Sequence, residues 1–180
     1  MKKIMFNDRY GLTEAVLSGR KTMTRRLVPD GTPCGCWSET VKYSRYQVGE
    51  VVAVAQSYKD CGNFPEDGQY DEDGYPIMPK NSGYFNKMFV RADLMPYHIR
   101  VTNVRVERLQ DIFNEDCIKE GIVKRYDCGG IPYYKLNPND GALIYRTPRE
   151  AYAALIDKIS GKGTWESNPY VFVYDFELVK

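Results

Sequence analysis

Tyr170, Phe172, Tyr174, Phe176 and Leu178 occupy every second position of one unbroken run. That period belongs to a β-strand with one buried face. Val51 to Ala55 is a shorter, continuously apolar run and reads as a buried strand. His98 to Leu109 is rich in β-branched residues, with Ile99 and Val101 on one parity and Val104 and Val106 on the other. The phase slip predicts a β-bulge or tight turn near Thr102 and Asn103. Residues 3–6 and Lys21 to Val28 add extended stretches, the second stopped by Pro29. Helical signals fall among these strands in no regular βαβ order, which disfavours a doubly wound parallel sheet. The pattern predicts an α+β fold: a small mixed β-barrel with peripheral short helices.

The helices announce themselves by their ends. Asn7 and Asp8 are good N-cap types, followed by Leu12, Ala15 and Val16 at helical spacing, with Gly11 inside the segment and Gly19 at its close. Asn114 can cap a second helix with Glu115 and Asp116 in its first turn, and Gly121 can end it. Thr147-Pro148-Arg149-Glu150 combines an N-cap, a proline at the first position and a capping-box glutamate. Ala151, Ala154, Leu155 and Ile159 give that third helix an apolar face. Two stretches lack periodicity. Residues 59–86 hold seven glycines and prolines and six acids between Asp60 and Asp73, and read as an inserted surface loop or long hairpin. Residues 126–145 form a second irregular stretch. Residues 1–180 are thus expected to form one domain carrying two insertions.

Charge narrows the choice of partner. Lys plus Arg is 25 and Asp plus Glu is 24, a net of +1, which argues against a uniformly basic coat for long nucleic acid. The balance hides a polarity, because residues 1–30 carry +4 and residues 60–73 carry −6. No apolar run approaches the ~20 residues of a membrane span. Met1 to Phe6 turns polar at Asn7, too early for a secretory signal, so a cytoplasmic protein is expected. The five cysteines, Cys34, Cys36, Cys61, Cys117 and Cys128, are an odd number at spacings that fit neither a disulfide scaffold nor a zinc site. No metal or cofactor is expected. His98 is the single histidine and reads as part of a strand.

Gly19-Arg20-Lys21-Thr22-Met23-Thr24-Arg25-Arg26 places four cations and two hydroxyls in eight residues, just past a helix end. Gly19, Lys21, Thr24 and Arg26 match the Gly-x-Lys-x-x-Thr-x-Arg motif of the ASCH family. Phe6-Asn7-Asp8, Gly49-Glu50-Val51, Val104 to Ile112, Lys119-Glu120-Gly121-Ile122 and Trp165 to Pro169 also resemble ASCH proteins of phage and prophage type. The resemblance implies a fold similar to the PUA domain, a small β-barrel associated with RNA. It implies recognition of RNA or of a modified nucleoside as partner. Small bacterial members include an amidohydrolase that deacetylates N4-acetylcytidine with a Lys, a Thr and a Glu, which map onto Lys21, Thr24 and Glu120. A ribonuclease is a further activity implied by the family.

Amide hydrolysis needs a nucleophile, a proton acceptor and donors at the developing oxyanion. Thr24 can supply the hydroxyl. Lys21 can act as base only if its pKa falls from about 10.4 to roughly 7–8. Burial or the neighbouring Arg20, Arg25 and Arg26 favour that shift, and a close Glu120 opposes it. Alternatively Glu120 takes the proton and Lys21 stays charged at the oxyanion. Binding of RNA or a nucleoside demands no unusual pKa and is the reading placed first, with Arg20, Arg25, Arg26, Gln56 and Tyr58 as binding residues. Gln56 stands where phage-type relatives often carry an acid, and its amide suits a base edge better than proton transfer. Tyr58 could stack on a base.

Overall fold

The computed structural model describes residues 1–62, 70–75, 83–138 and 143–179. Among these residues, seven stretches pair as strands: β1 (Lys3–Ile4), β2 (Met23–Leu27), β3 (Val51–Val54), β4 (His98–Arg108), β5 (Val123–Tyr126), β6 (Pro132–Lys135) and β7 (Tyr170–Val179). The helices are α1 (Leu12–Leu17), α2 (Trp37–Thr40), α3 (Tyr58–Cys61), α4 (Asn114–Lys119), α5 (Pro148–Ser160) and α6 (Thr164–Ser167). The architecture is α+β. A five-stranded sheet runs in the order β1-β3-β4-β7-β2, with β1 and β3 parallel and the other neighbours antiparallel.

The long alternating strand sits inside this sheet, between β4 and β2. Because elements cover both of its faces, Val171 and Val173 are buried as fully as Phe172 and Tyr174. The period-two pattern marks only one of those faces. Burial of each such side chain contributes roughly 1.5–3 kcal/mol of transfer free energy. The register of β4 against β7 shifts between Val101 and Asn103, the position where the phase slip predicts it. The extra residue lets Val101 and Val104 both reach the core.

The ladder does not close on itself among the described residues: it is a sheet that ends at the edge strands β1 and β2, not the closed barrel expected. A side chain links the two edges: Arg26 on β2 donates from Nη2 to the carbonyl of Met5, one residue beyond β1.

Local signals mostly operate as the sequence suggests. Thr147 Oγ1 accepts from Glu150 N–H at 3.1 Å and caps α5. Gly11 does not lie within a helix. At φ 64 it separates a single 3-10 turn, Asp8–Tyr10, from α1. Asn7 caps that turn by accepting from Arg9 N–H. Phe113, not Asn114, holds the N-cap position of α4. The stretch 126–145 is less irregular than its composition suggests, since β5 and β6 form a hairpin there and Tyr134 bridges to Tyr145. Its residues 139–142 lie outside the described residues, as do 63–69 and 76–82 of the acidic stretch 59–86, including Glu66 and Asp67. No described helix is long and apolar enough to cross a membrane.

Candidate functional site

Two glycines bring the site together. Gly19, at φ 73, turns the chain from α1 toward β2. Lys21 N–H then donates to Ala15 O at 2.8 Å and Thr22 N–H to Lys119 O at 3.0 Å, which ties the turn to both α1 and α4. Lys21 therefore precedes the regular part of β2. The opposite-face rule for i and i+3 in a strand does not separate it from Thr24. Gly121 follows α4 at φ 107. A Cβ there would lie 3.1 Å from Leu12 Cδ2 and 3.6 Å from Lys21 Cδ. The bare backbone admits the Lys21 stem and sets Glu120 against its head.

Lys21 and Glu120 form a buried ion pair. Lys21 Nζ lies 2.6 Å from Glu120 Oε2 and also donates to the backbone carbonyls of Glu120 and Met23, both at 2.7 Å. All three ammonium hydrogens thus have acceptors. The residues are 2% and 4% exposed, where an ammonium is tolerated only through such bonds. Burial holds the Lys21 pKa below the ordinary lysine value. Glu120 pulls it upward, and Arg26 and Arg25 add to the lowering.

Glu120 Oε1 accepts from Arg25 Nη1 at 3.3 Å, so the carboxylate is shared by two cations. Arg25 also donates from Nε to Glu107 Oε1 and from Nη2 to Asp116 Oδ2, both at 3.1 Å. Burial works against its charge, but Glu120 and Glu107 outweigh that and raise its pKa. Arg105 extends the network to Asp175 at 2.6 Å and to Asp116 at 3.4 Å. Arg25 is therefore spoken for by carboxylates and locks β2 to β4 and α4.

The Thr24 hydroxyl and the Arg26 donors not spent on the Met5 carbonyl face no carboxylate among the described residues. Both line a cavity of about 490 Å³ together with Lys21, Arg25 and Glu120. Thr24 is buried, and its hydroxyl makes no hydrogen bond to another described residue. The Arg26 guanidinium stands 5.7 Å from the centre of the Phe6 ring and has no carboxylate partner among the described residues. Phe6, Leu12 and one face of α5 form the apolar wall, with Tyr152, Leu155, Ile156 and Ile159 at i, i+3, i+4 and i+7. Burial, with Glu120 adding to it, pushes the Tyr152 phenol well up, so it stays neutral. The arrangement offers a hydroxyl without a partner among the described residues, a buried Lys–Glu pair and guanidinium donors, in a partly apolar recess of ligand-pocket size.

The other expected binding residues lie elsewhere. Arg20 is exposed and lines none of the described cavities. Gln56 lines a separate recess of about 330 Å³ with Asp60 and Lys87, its Oε1 buried without a partner among the described residues. Tyr58 packs into a satellite core with Ala53, Ala55, Val90 and Met95. Four participants escape the sequence reading: Glu107, Asp116, Arg105 and Tyr152. The helical spacing of Tyr152 with Leu155, Ile156 and Ile159 is the one signal that could have found any of them.

No family model and no curated protein matches this chain. Among solved structures it is similar to protein EF3133 from Enterococcus faecalis V583, of the family DUF984, at 13% identity and a TM-score of 0.39. That match covers 93% of this chain and 66% of the other.

Proposed function

We propose that this chain is an ASCH-type protein, built on a PUA-like fold, that binds RNA or a modified nucleoside in the cavity that Thr24 and Arg26 line. The observation that carries this is the convergence of Lys21, Thr24, Arg26 and Glu120 on one recess of about 490 Å³. These are the motif residues of the family resemblance, drawn from segments about a hundred positions apart. A nucleobase suits the recess because it offers polar edges to Thr24 and Arg26 and flat faces to Phe6 and Tyr152.

A second reading, hydrolysis of an N-acylated nucleoside, is favoured by the Thr24 hydroxyl, which lines the same recess as the buried Lys21–Glu120 pair. Thr24 Oγ attacks the acyl carbon and its proton passes to that pair, the carbon–nitrogen bond then breaks as the proton goes to the leaving amine, and water frees the acyl group from Thr24. Arg26 is the available donor to the oxyanion. A ribonuclease draws less support, since Arg25 is committed to three carboxylates and cannot turn to a phosphate.

The test is N4-acetylcytidine, with affinity followed by titration and product by chromatography. Binding is expected, with loss of at least tenfold in Thr24→Ala. If the probe turns over, Thr24→Ala and Lys21→Ala should abolish turnover. No binding at millimolar probe by folded wild-type protein overturns the site reading, and binding without turnover removes the hydrolase.

A further inference from the structure

A second recess adjoins the first. It has a volume of about 440 Å³ and shares Met5, Arg26 and Leu27 with the candidate site. Its remaining charged lining is Lys3 and Arg45, and no carboxylate belongs to it. Lys3 spends its ammonium on the backbone carbonyls of Lys87, Met88 and Val90, so it adds positive potential with no carboxylate partner among the described residues. Arg45 is exposed and has no ion-pair partner among the described residues; its guanidinium lies 5.6 Å from the Tyr46 ring centre. Arg26 uses one N–H on the Met5 carbonyl, which leaves four of its five donors. The floor is aromatic: Tyr46 and Tyr174 meet edge to face with centroids 5.4 Å apart, and Phe172 lies beside them. At the rim, Tyr43 is 60% exposed and can present a ring face to solvent.

Resting on the nucleoside reading of the first recess, we infer that the ligand is not a free nucleoside but one unit of a short single strand. Its phosphodiester is held between Arg26 and Arg45, and its neighbouring base stacks on Tyr43. A neutral nucleoside gives three carboxylate-free cations nothing to neutralise. A nucleotide chain alternates bases with anions, and the surface alternates recesses with a guanidinium on the shared wall. Arg is suited to that place because its planar donors match phosphate oxygens, and exposed tyrosine is a common platform for an unpaired base.

The test compares N4-acetylcytidine, its 5′- and 3′-monophosphates and a dinucleotide containing it, by titration at low salt. The dinucleotide is expected to bind about tenfold or more tightly than the nucleoside. Arg45→Ala should erase that gain and Tyr43→Ala reduce it, with nucleoside affinity unchanged in both. Thr24→Ala, in the first recess only, should weaken every probe alike. Equal affinity for all four probes in wild type overturns the inference and leaves the nucleoside site standing. A monophosphate that captures the whole gain, with Tyr43→Ala silent, replaces the strand by a free nucleotide. A dinucleotide gain with Thr24→Ala silent shows that the first recess is not the nucleoside site and overturns both readings.

Discussion

Glu120, 2.6 Å away, favours the ammonium form of Lys21 in a nearly solvent-free place, and Glu120 is in turn shared with Arg25. Removing the carboxylate charge strands the buried Lys21 ammonium and takes from Arg25 one of its three carboxylate partners. Glu120→Gln is therefore expected to cost about 3 kcal/mol or more, read as the shift of the urea unfolding midpoint. A loss under about 1 kcal/mol would mean that the pair is far more solvated than its burial implies. The cysteines offer a second test at this scale. Burial pushes the Cys117 thiol up to about 12 from 9.0. In the window between those values the unfolded chain releases a proton that the native state retains, so Cys117 stabilises less as pH rises from 9 toward 12. Cys36 is exposed, and hydrogen bonds from Ser38 and from backbone N–H groups lower its thiol instead. Iodoacetamide at neutral pH should alkylate Cys36 early and leave Cys117 unmodified in native protein, as peptide mass mapping would read. Early labelling of Cys117 would contradict its place in the core.

At the scale of elements, the site depends on two turns more than on any helix or strand. α4 has six residues and cannot hold Glu120 by its own rigidity. Gly121 holds it, by allowing the chain to leave the helix at φ 107 against Leu12. Gly121→Ala combines a left-handed backbone with a crowded Cβ and should destabilise by more than about 1 kcal/mol, seen in thermal melts. It should also weaken ligand binding, because Glu120 and Lys21 must separate. Gly19→Ala, whose Cβ would meet nothing within 4 Å, bears only the backbone strain. A Gly121→Ala protein no less stable than Gly19→Ala would refute this account. The same elements show what a sequence discloses. The α5 cap, the bulge at Val101–Asn103 and the alternation in β7 are local patterns and legible as such. The Lys21–Glu120 pair is reached from the sequence only through the family resemblance, because no local pattern couples positions 99 apart. The Arg25–Glu107–Asp116–Arg105 network was invisible, since isolated charges in a strand and a helix turn look like solvated surface. Tyr58 and Gln56 looked like lining for one cleft with Lys21, but β3 lies two strands from β7 and three from β2, which carries Thr24.

For the whole molecule, the near-zero net charge acquires a spatial meaning. Much of the basic N-terminal charge is neutralised internally, Lys21 and Arg25 by Glu120, Glu107 and Asp116. What remains available at the two recesses is local: Arg26 on the shared wall and Arg45 beyond it, with Lys3 behind them. Such a surface neutralises one or two phosphates, not a track of them. Affinity for a short single strand should then fall with salt at a slope of log K against log salt of roughly −0.7 to −1.4, the release expected for one or two phosphates. Lengthening the strand beyond two or three nucleotides should leave both the affinity and the slope almost unchanged. Titrations at several salt concentrations with two-, four- and eight-nucleotide strands measure this directly. A slope steeper than about −4, or one growing with strand length, would require a continuous basic track, and the cations described here are too few and too closely grouped to form one.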